Sequence, residues 1–226
     1  MTTQKSHLLL ATIYMFGAIA SFTAMAVAGR AVSFQLDTFE IMLFRSVVGA
    51  VLVLAFGVYF GQVKEISTRH LPVHLVRNIC HFTGQNLWFF AITVVPLAEV
   101  FALEFTAPLW VLLLAPLVLG EQLSKTRMLA GVLGLLGVLL VTRPTPDTLS
   151  WGVVAGAMAA IGFAGSIMAT KQLTRSETIW TVLFYMTLMQ LVFGVVCAGA
   201  DGDIALPSVS NMPWVVLIAC AGLFAH

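Results

Sequence analysis

Charge is what this sequence has least of: 9% of its 226 residues are Asp, Glu, Lys or Arg. A soluble domain carries about 25%. With 60% of the chain hydrophobic, no soluble domain of any size is left over. The net charge of +1 offers no field for nucleic acid or an acidic partner. Cysteine is scarce too. Cys80, Cys197 and Cys220 stand within apolar runs, which reads as reduced packing thiols and no disulfide framework. There is no G-x-x-x-x-G-K-S/T loop, so nucleotide-driven work would need another chain. The run 178–198 holds no lysine for a retinal Schiff base. His70 and His74 are four apart, but Pro72 divides them and no Cys or carboxylate completes a metal set. No nucleophile and base stand out at matching depth. Neither catalysis nor a cofactor is expected.

Long hydrophobic runs are what the chain does have. Eight occur, at about 8–29, 38–60, 71–94, 97–119, 127–142, 151–170, 178–198 and 213–226. About 20 apolar residues cross a hydrocarbon core of about 30 Å. Seven runs meet that length, the fifth only just, and the eighth stops after about 14 residues. The expected fold is an all-α integral membrane protein, a polytopic helix bundle. Lys5, the run from Leu8 and Ala24-Met25-Ala26 mimic a cleavable signal peptide. That run is too long for one, so it reads as a retained first span. Short connections make neighbours antiparallel hairpins. With the N-terminus inside, the inner loops hold Lys5, Lys64, Arg69, Lys125, Arg127, Lys171 and Arg175. The outer loops hold Arg30 and Arg143, with acidic Asp37, Asp147, Asp201 and Asp203. Positive charge marks the cytoplasmic side, so a multi-pass membrane protein with a cytoplasmic N-terminus is expected.

Sliding the chain by 140–141 places Pro213 on Pro72, Lys171 on Arg30 and Thr178 on Thr38. It also superposes runs six to eight on runs one to three. The repeat then has five helices, an odd number, so the second copy enters the membrane from the opposite side. Such a 5+5 inverted repeat places a site between the halves near the midplane. The first repeat occupies 8–142 and the second 149–226. The same shift sets His226 on Gln85 and carries Thr142 to about position 283. The last two and a half helices are therefore expected to be missing, and the chain to transport poorly by itself.

The polar residues fall in one place. Arg77, His81, Gly84, Gln85 and Trp88 share one face of the third helix, with Asn78 and Asn86 beside it. Polar groups at membrane depth face a bundle interior or a watered cavity. The stripe is either the wall of a pathway or hydrogen-bonding glue between helices. At about 1.5 Å per residue, His81–Gln85 lie about 15–20 Å in from the inner side, and Glu104 about 10 Å from the outer side. The two helices are joined by a short turn at Pro96, so Glu104 is expected to look into the same cavity. Pro108 removes the bond that the Glu104 carbonyl would accept, giving a binding spot, a hinge or a static kink. Arg45 is either a snorkelling cation or the partner of a substrate carboxylate. Arg77, near the inner end of its helix, either belongs to the working part of this stripe or simply snorkels. Glu121 is expected to cap a helix or pair with Lys125. Tyr185 and Gln190 are cavity or packing residues. The face of Gly131, Gly134 and Gly137 packs either a neighbouring helix or a second protomer, which leaves a homodimer open.

Gly84-Gln85-Asn86-Leu87-Trp88-Phe89-Phe90-Ala91-Ile92 is followed by Pro108, Leu119-Gly120-Glu121 and the glycines of Gly131–Val138. With this punctuation the segment resembles the drug/metabolite transporter superfamily, specifically its EamA-type ten-helix members. Gly222-Leu223-Phe224-Ala225-His226 looks like the matching stretch of a second half. The resemblance implies a secondary transporter of a small polar metabolite, often an amino acid or derivative, in the bacterial inner membrane. The candidate substrate-binding residues are His81, Gln85, Asn86, Trp88, Glu104 and Arg45. The expected partners are a small-molecule substrate and the lipid bilayer. A non-transporting sensor or assembly partner, or an inactive fragment of a transporter, is the rival.

Overall fold

The structure is a computed structural model that describes residues 2–200 and 202–225; for residues 2–8 and Pro146 only the backbone is described. Asp201, assigned above to an outer loop, and His226 lie outside the described residues, as does the Lys5 side chain. The described residues form nine α-helices and no strand. These are α1 (Thr2–Val32), α2 (Thr38–Tyr59), α3 (Leu71–Val94), α4 (Leu97–Glu104), α5 (Ala107–Leu119), α6 (Lys125–Thr142), α7 (Trp151–Leu173), α8 (Ile179–Ala198) and α9 (Met212–Phe224). Six helical stretches are long and apolar enough to cross a membrane, among them Leu97–Leu119 taken across its break. The 24 residues of α3 match them in length, while its polar stripe lowers its hydropathy. The chain is an all-α polytopic membrane protein.

Local chemistry sets several boundaries. Asp37 and Glu40 make a reciprocal capping box at the start of α2. Ser124, Ser150 and Thr178 each accept a backbone N–H at the start of α6, α7 and α8. Arg30 donates to the carbonyls of Ile92 (2.6 Å) and Val95 (2.5 Å), placing a cation at the C-terminus of α3. The fourth run departs from expectation. It is two helices, because Pro108 has no N–H for the Glu104 carbonyl. The chain tightens through Thr106 N–H to Leu103 O (3.0 Å) and restarts with Leu109 N–H to Thr106 O (2.9 Å). Pro116, further along, sits inside α5 without breaking it.

Packing is uneven. α3 lies along α7, α2 along α8 and α1 along α9. At the α3–α7 crossing, a Cβ on Gly162 would stand 2.8 Å from the Cys80 carbonyl and 2.9 Å from the Gly84 Cα. Only glycine permits that approach. Gly152 and Gly156 of α7 likewise meet Val94, Val95 and Leu103. The core runs through Met25, Met42, Trp88, Phe89, Ile92 and Ile218. By contrast, Val138 is the one buried residue of α6 among those described. Its Gly131 and Gly134 face Leu112 and Leu109 of α5, so the neighbouring-helix reading holds for those two positions.

Candidate functional site

A cavity of ≈ 590 Å³ lies where α3, the α4–α5 break and α7 meet. That size suits a small-molecule ligand. It runs from Gln85 and Glu104 to Lys171 and Thr174, with Phe22, Phe105 and Phe163 giving it an aromatic wall. The break after Glu104 positions it: α4 brings the carboxylate to α3, and α5 begins again at Ala107.

Three of the six candidate residues line this cavity together, namely His81, Gln85 and Glu104. Ser166 Oγ stands 3.5 Å from His81 Nδ1, and the His81 ring packs at a tilt on Phe163. Trp88 stands behind the wall, where its indole Nε1–H donates to Glu104 Oε2 at 2.8 Å and aims the carboxylate. Arg45 lies outside the lining. Its guanidinium donates to Gln85 Oε1, reaches Gln190 Oε1 at 3.4 Å, and lies against Met25 Sδ. At 5% exposed it does not snorkel. Asn86 is also away from the lining, its amide nitrogen donating to the Phe82 carbonyl one turn back (2.8 Å). Of the two weaker candidates, Gln190 contacts Arg45, and Tyr185 packs on the His74 ring with centroids 4.5 Å apart.

Sequence reasoning missed the part of the site that α7 supplies and left Arg77, a member of the stripe, out of the six candidates. Arg77 is 1% exposed, so it does not snorkel, and it lines the cavity. Its Nε donates to Thr170 Oγ1 (3.2 Å) and one terminal nitrogen donates to Asn78 Oδ1 (3.1 Å). α7 supplies Phe163, Ser166 and Thr170. These fall three and four residues apart, the spacing of one helix face, and that was the available signal. The Glu121 expectation needs correction as well. Its carboxylate pairs with Lys171 of α7 and, at 3.4 Å, with Arg127, not with Lys125. Gly120, at φ 65°, reverses the chain after α5 and turns Glu121 towards α7. The hydrogen bond from Lys171 holds the Glu121 carboxyl below its ordinary range.

The EamA-like transporter family model matches residues 9–143, and the chain belongs to that family. Among relatives, the S-adenosylmethionine uptake transporter of Rickettsia conorii is 26% identical over 77% of this chain and 59% of its own length. The riboflavin transporter of Brucella anthropi is 32% identical over 66% of this chain and 52% of its own. The pseudopaline exporter of Pseudomonas aeruginosa is 27% identical over 87% of this chain and 68% of its own. The chain thus spans between 52% and 68% of the lengths of these three relatives. One solved crystal structure shares the fold, with a TM-score of 0.68 at 20% identity over 95% of this chain and 77% of that one.

Proposed function

We propose that the protein is a secondary transporter for a small polar metabolite, an amino acid or derivative by preference, working by alternating access. The observation that carries this is the cavity, in which a carboxylate, an imidazole and an amide from two helices converge against an aromatic wall. Relatives named for the movement of S-adenosylmethionine, riboflavin and pseudopaline support a small metabolite as cargo. Uptake and export both occur among those names, so the direction of transport is read from neither. A carboxylate beside an imidazole suits a substrate ammonium or a transported proton.

The inverted-repeat reading, 8–142 and 149–226, draws support from the packing. Exchanging α1 with α7, α2 with α8 and α3 with α9 carries the α1–α9 contact onto the α7–α3 contact. It returns the α2–α8 contact to itself. Inverted repeats with such a two-fold relation are a common basis for alternating access. The loop charges support a cytoplasmic N-terminus. That orientation is read by labelling intact cells with an impermeant thiol reagent after Ser67→Cys or Ser208→Cys, with the native cysteines removed. Reaction at 208 alone is expected; reaction at 67 alone reverses the orientation.

The site is tested by S-adenosylmethionine and riboflavin uptake in cells expressing the protein at its full natural length. Glu104→Gln and His81→Ala are each expected to reduce uptake strongly with the amount of protein in the membrane unchanged, while Arg127→Ala matters far less. If both cavity variants match the unaltered protein throughout about pH 5 to 8, the range in which imidazole titrates, the polar stripe is interhelical glue. A sensor or assembly partner would give no solute flux at all.

A further inference from the structure

Two guanidinium groups are buried in this bundle, and neither has a carboxylate within 4.0 Å among the described residues, where both ion pairs involve Glu121. They differ in what faces them. Arg45 is closed in by Gln85, Gln190 and Met25. Arg77 lines the cavity, with Nε on Thr170 and one terminal nitrogen on Asn78. Its second terminal nitrogen makes no hydrogen bond among the described residues. Guanidinium has five donors in a fixed fork suited to a planar anion. A buried cation without a counter-ion is costly, and at membrane depth such a group faces a cavity and its ligand.

Resting on the transport-cavity reading, we propose that Arg77, aimed by Thr170 and Asn78, is a carboxylate subsite at the opposite end of the cavity from Glu104. The cargo is then an extended zwitterion. Its carboxylate meets Arg77, its apolar middle lies against Phe163 and Phe105, and its ammonium meets Glu104. Gln85 stands eight positions along α3 from Arg77, about 12 Å at 1.5 Å per residue, and Trp88, which holds Glu104, is one turn further. Allowing about 2.8 Å for the hydrogen bond at each end leaves a ligand of about 6–11 Å between its charges. In a simple α-amino acid the two groups share one carbon and cannot bridge that span. A derivative that separates them by several bonds can.

The test uses three probes on the purified protein in detergent, with binding followed by tryptophan fluorescence and thermal shift. 6-Aminohexanoate carries both charges, 6-aminohexanamide lacks the anion, and 6-acetamidohexanoate lacks the cation. 6-Aminohexanoate should bind about tenfold or more tighter than 6-aminohexanamide, the scale of one charge-assisted contact. Arg77→Gln should close that gap and Arg77→Lys should keep part of it. A purely structural Arg77 would lower thermal stability when replaced and leave the gap in place, which overturns the subsite. Equal binding of 6-aminohexanoate and 6-aminohexanamide by the unaltered protein overturns it without any variant. So does the failure of all three probes to bind at millimolar concentration. If 6-acetamidohexanoate binds as well as 6-aminohexanoate while the Arg77-dependent gap stands, the ammonium role of Glu104 fails and the carboxylate subsite survives.

Discussion

Glycine plays opposite parts in two regions of this bundle. Along the α3–α7 seam, Gly84 and Gly162 let two backbones touch, with a Cys80 carbonyl 2.8 Å from where a Gly162 Cβ would stand. On α6, Gly137 is exposed, and a Cβ there would meet nothing within 4 Å outside its own helical turn. The seam also carries the buried polar groups Arg77, Asn78, His81, Gln85 and Ser166. α6 carries apolar side chains that almost all face outward. Lipid tails solvate leucine as well as a protein interior does, so apolar character drives no helix into the bundle. Close approach and polar contact do, and the seam has both.

That contrast can be broken with one change made twice. Gly162→Ala should be the most damaging substitution, because the clashing atoms are backbone and α3 and α7 must part to admit a methyl group. A loss of about 1–3 kcal/mol is expected, as for overpacked cores. The cavity between those helices should be disturbed with it. Gly137→Ala meets no neighbour and should be neutral, or stabilising by up to about 1 kcal/mol through helix propensity. Thermal denaturation of the two variants in the same detergent measures both. If Gly162→Ala is as well tolerated as Gly137→Ala, the seam is not the tight joint described here. If Gly137→Ala destabilises, α6 has an unseen partner on that face, such as a second protomer.

The same contrast explains what the sequence could reveal. The spans were legible because run length and hydropathy follow from the bilayer. The stripe on α3 was legible because 77, 81, 84, 85 and 88 share a face, and all five residues are buried. The identity of the neighbour was not legible. Arg77 stayed open between the stripe and a snorkelling role, because depth along one helix says nothing of Thr170 on another. The break after Glu104 was half legible. Pro108 announced a missing hydrogen bond, but whether the helix kinks or stops depends on what Thr106 and Leu103 do with the freed groups. Glu121 reads from sequence as a cap or as the partner of Lys125, four positions on, whereas the reversal at Gly120 hands it to Lys171, fifty positions away.

The smallest effect expected is at the link between the two regions. Glu121, at the turn between α5 and α6, pairs with Lys171 at the end of α7 and with Arg127 at the start of α6. Its carboxyl is held below its ordinary value of 4.5, first by the hydrogen bond from Lys171. A group with a depressed folded-state pKa stabilises the fold above its unfolded pKa and loses that contribution as pH falls through the folded value. Glu121→Gln should therefore lower the melting temperature slightly at neutral pH, and the difference from the unaltered protein should vanish once the pH drops below the ordinary carboxylate range. Because the pair is solvent-exposed, added salt should shrink the difference as well. A difference that persists unchanged in acid would mean that Glu121 holds the hairpin by shape and not by charge. The α5–α6 hairpin would then be joined to α7 more like the seam than the contrast above allows.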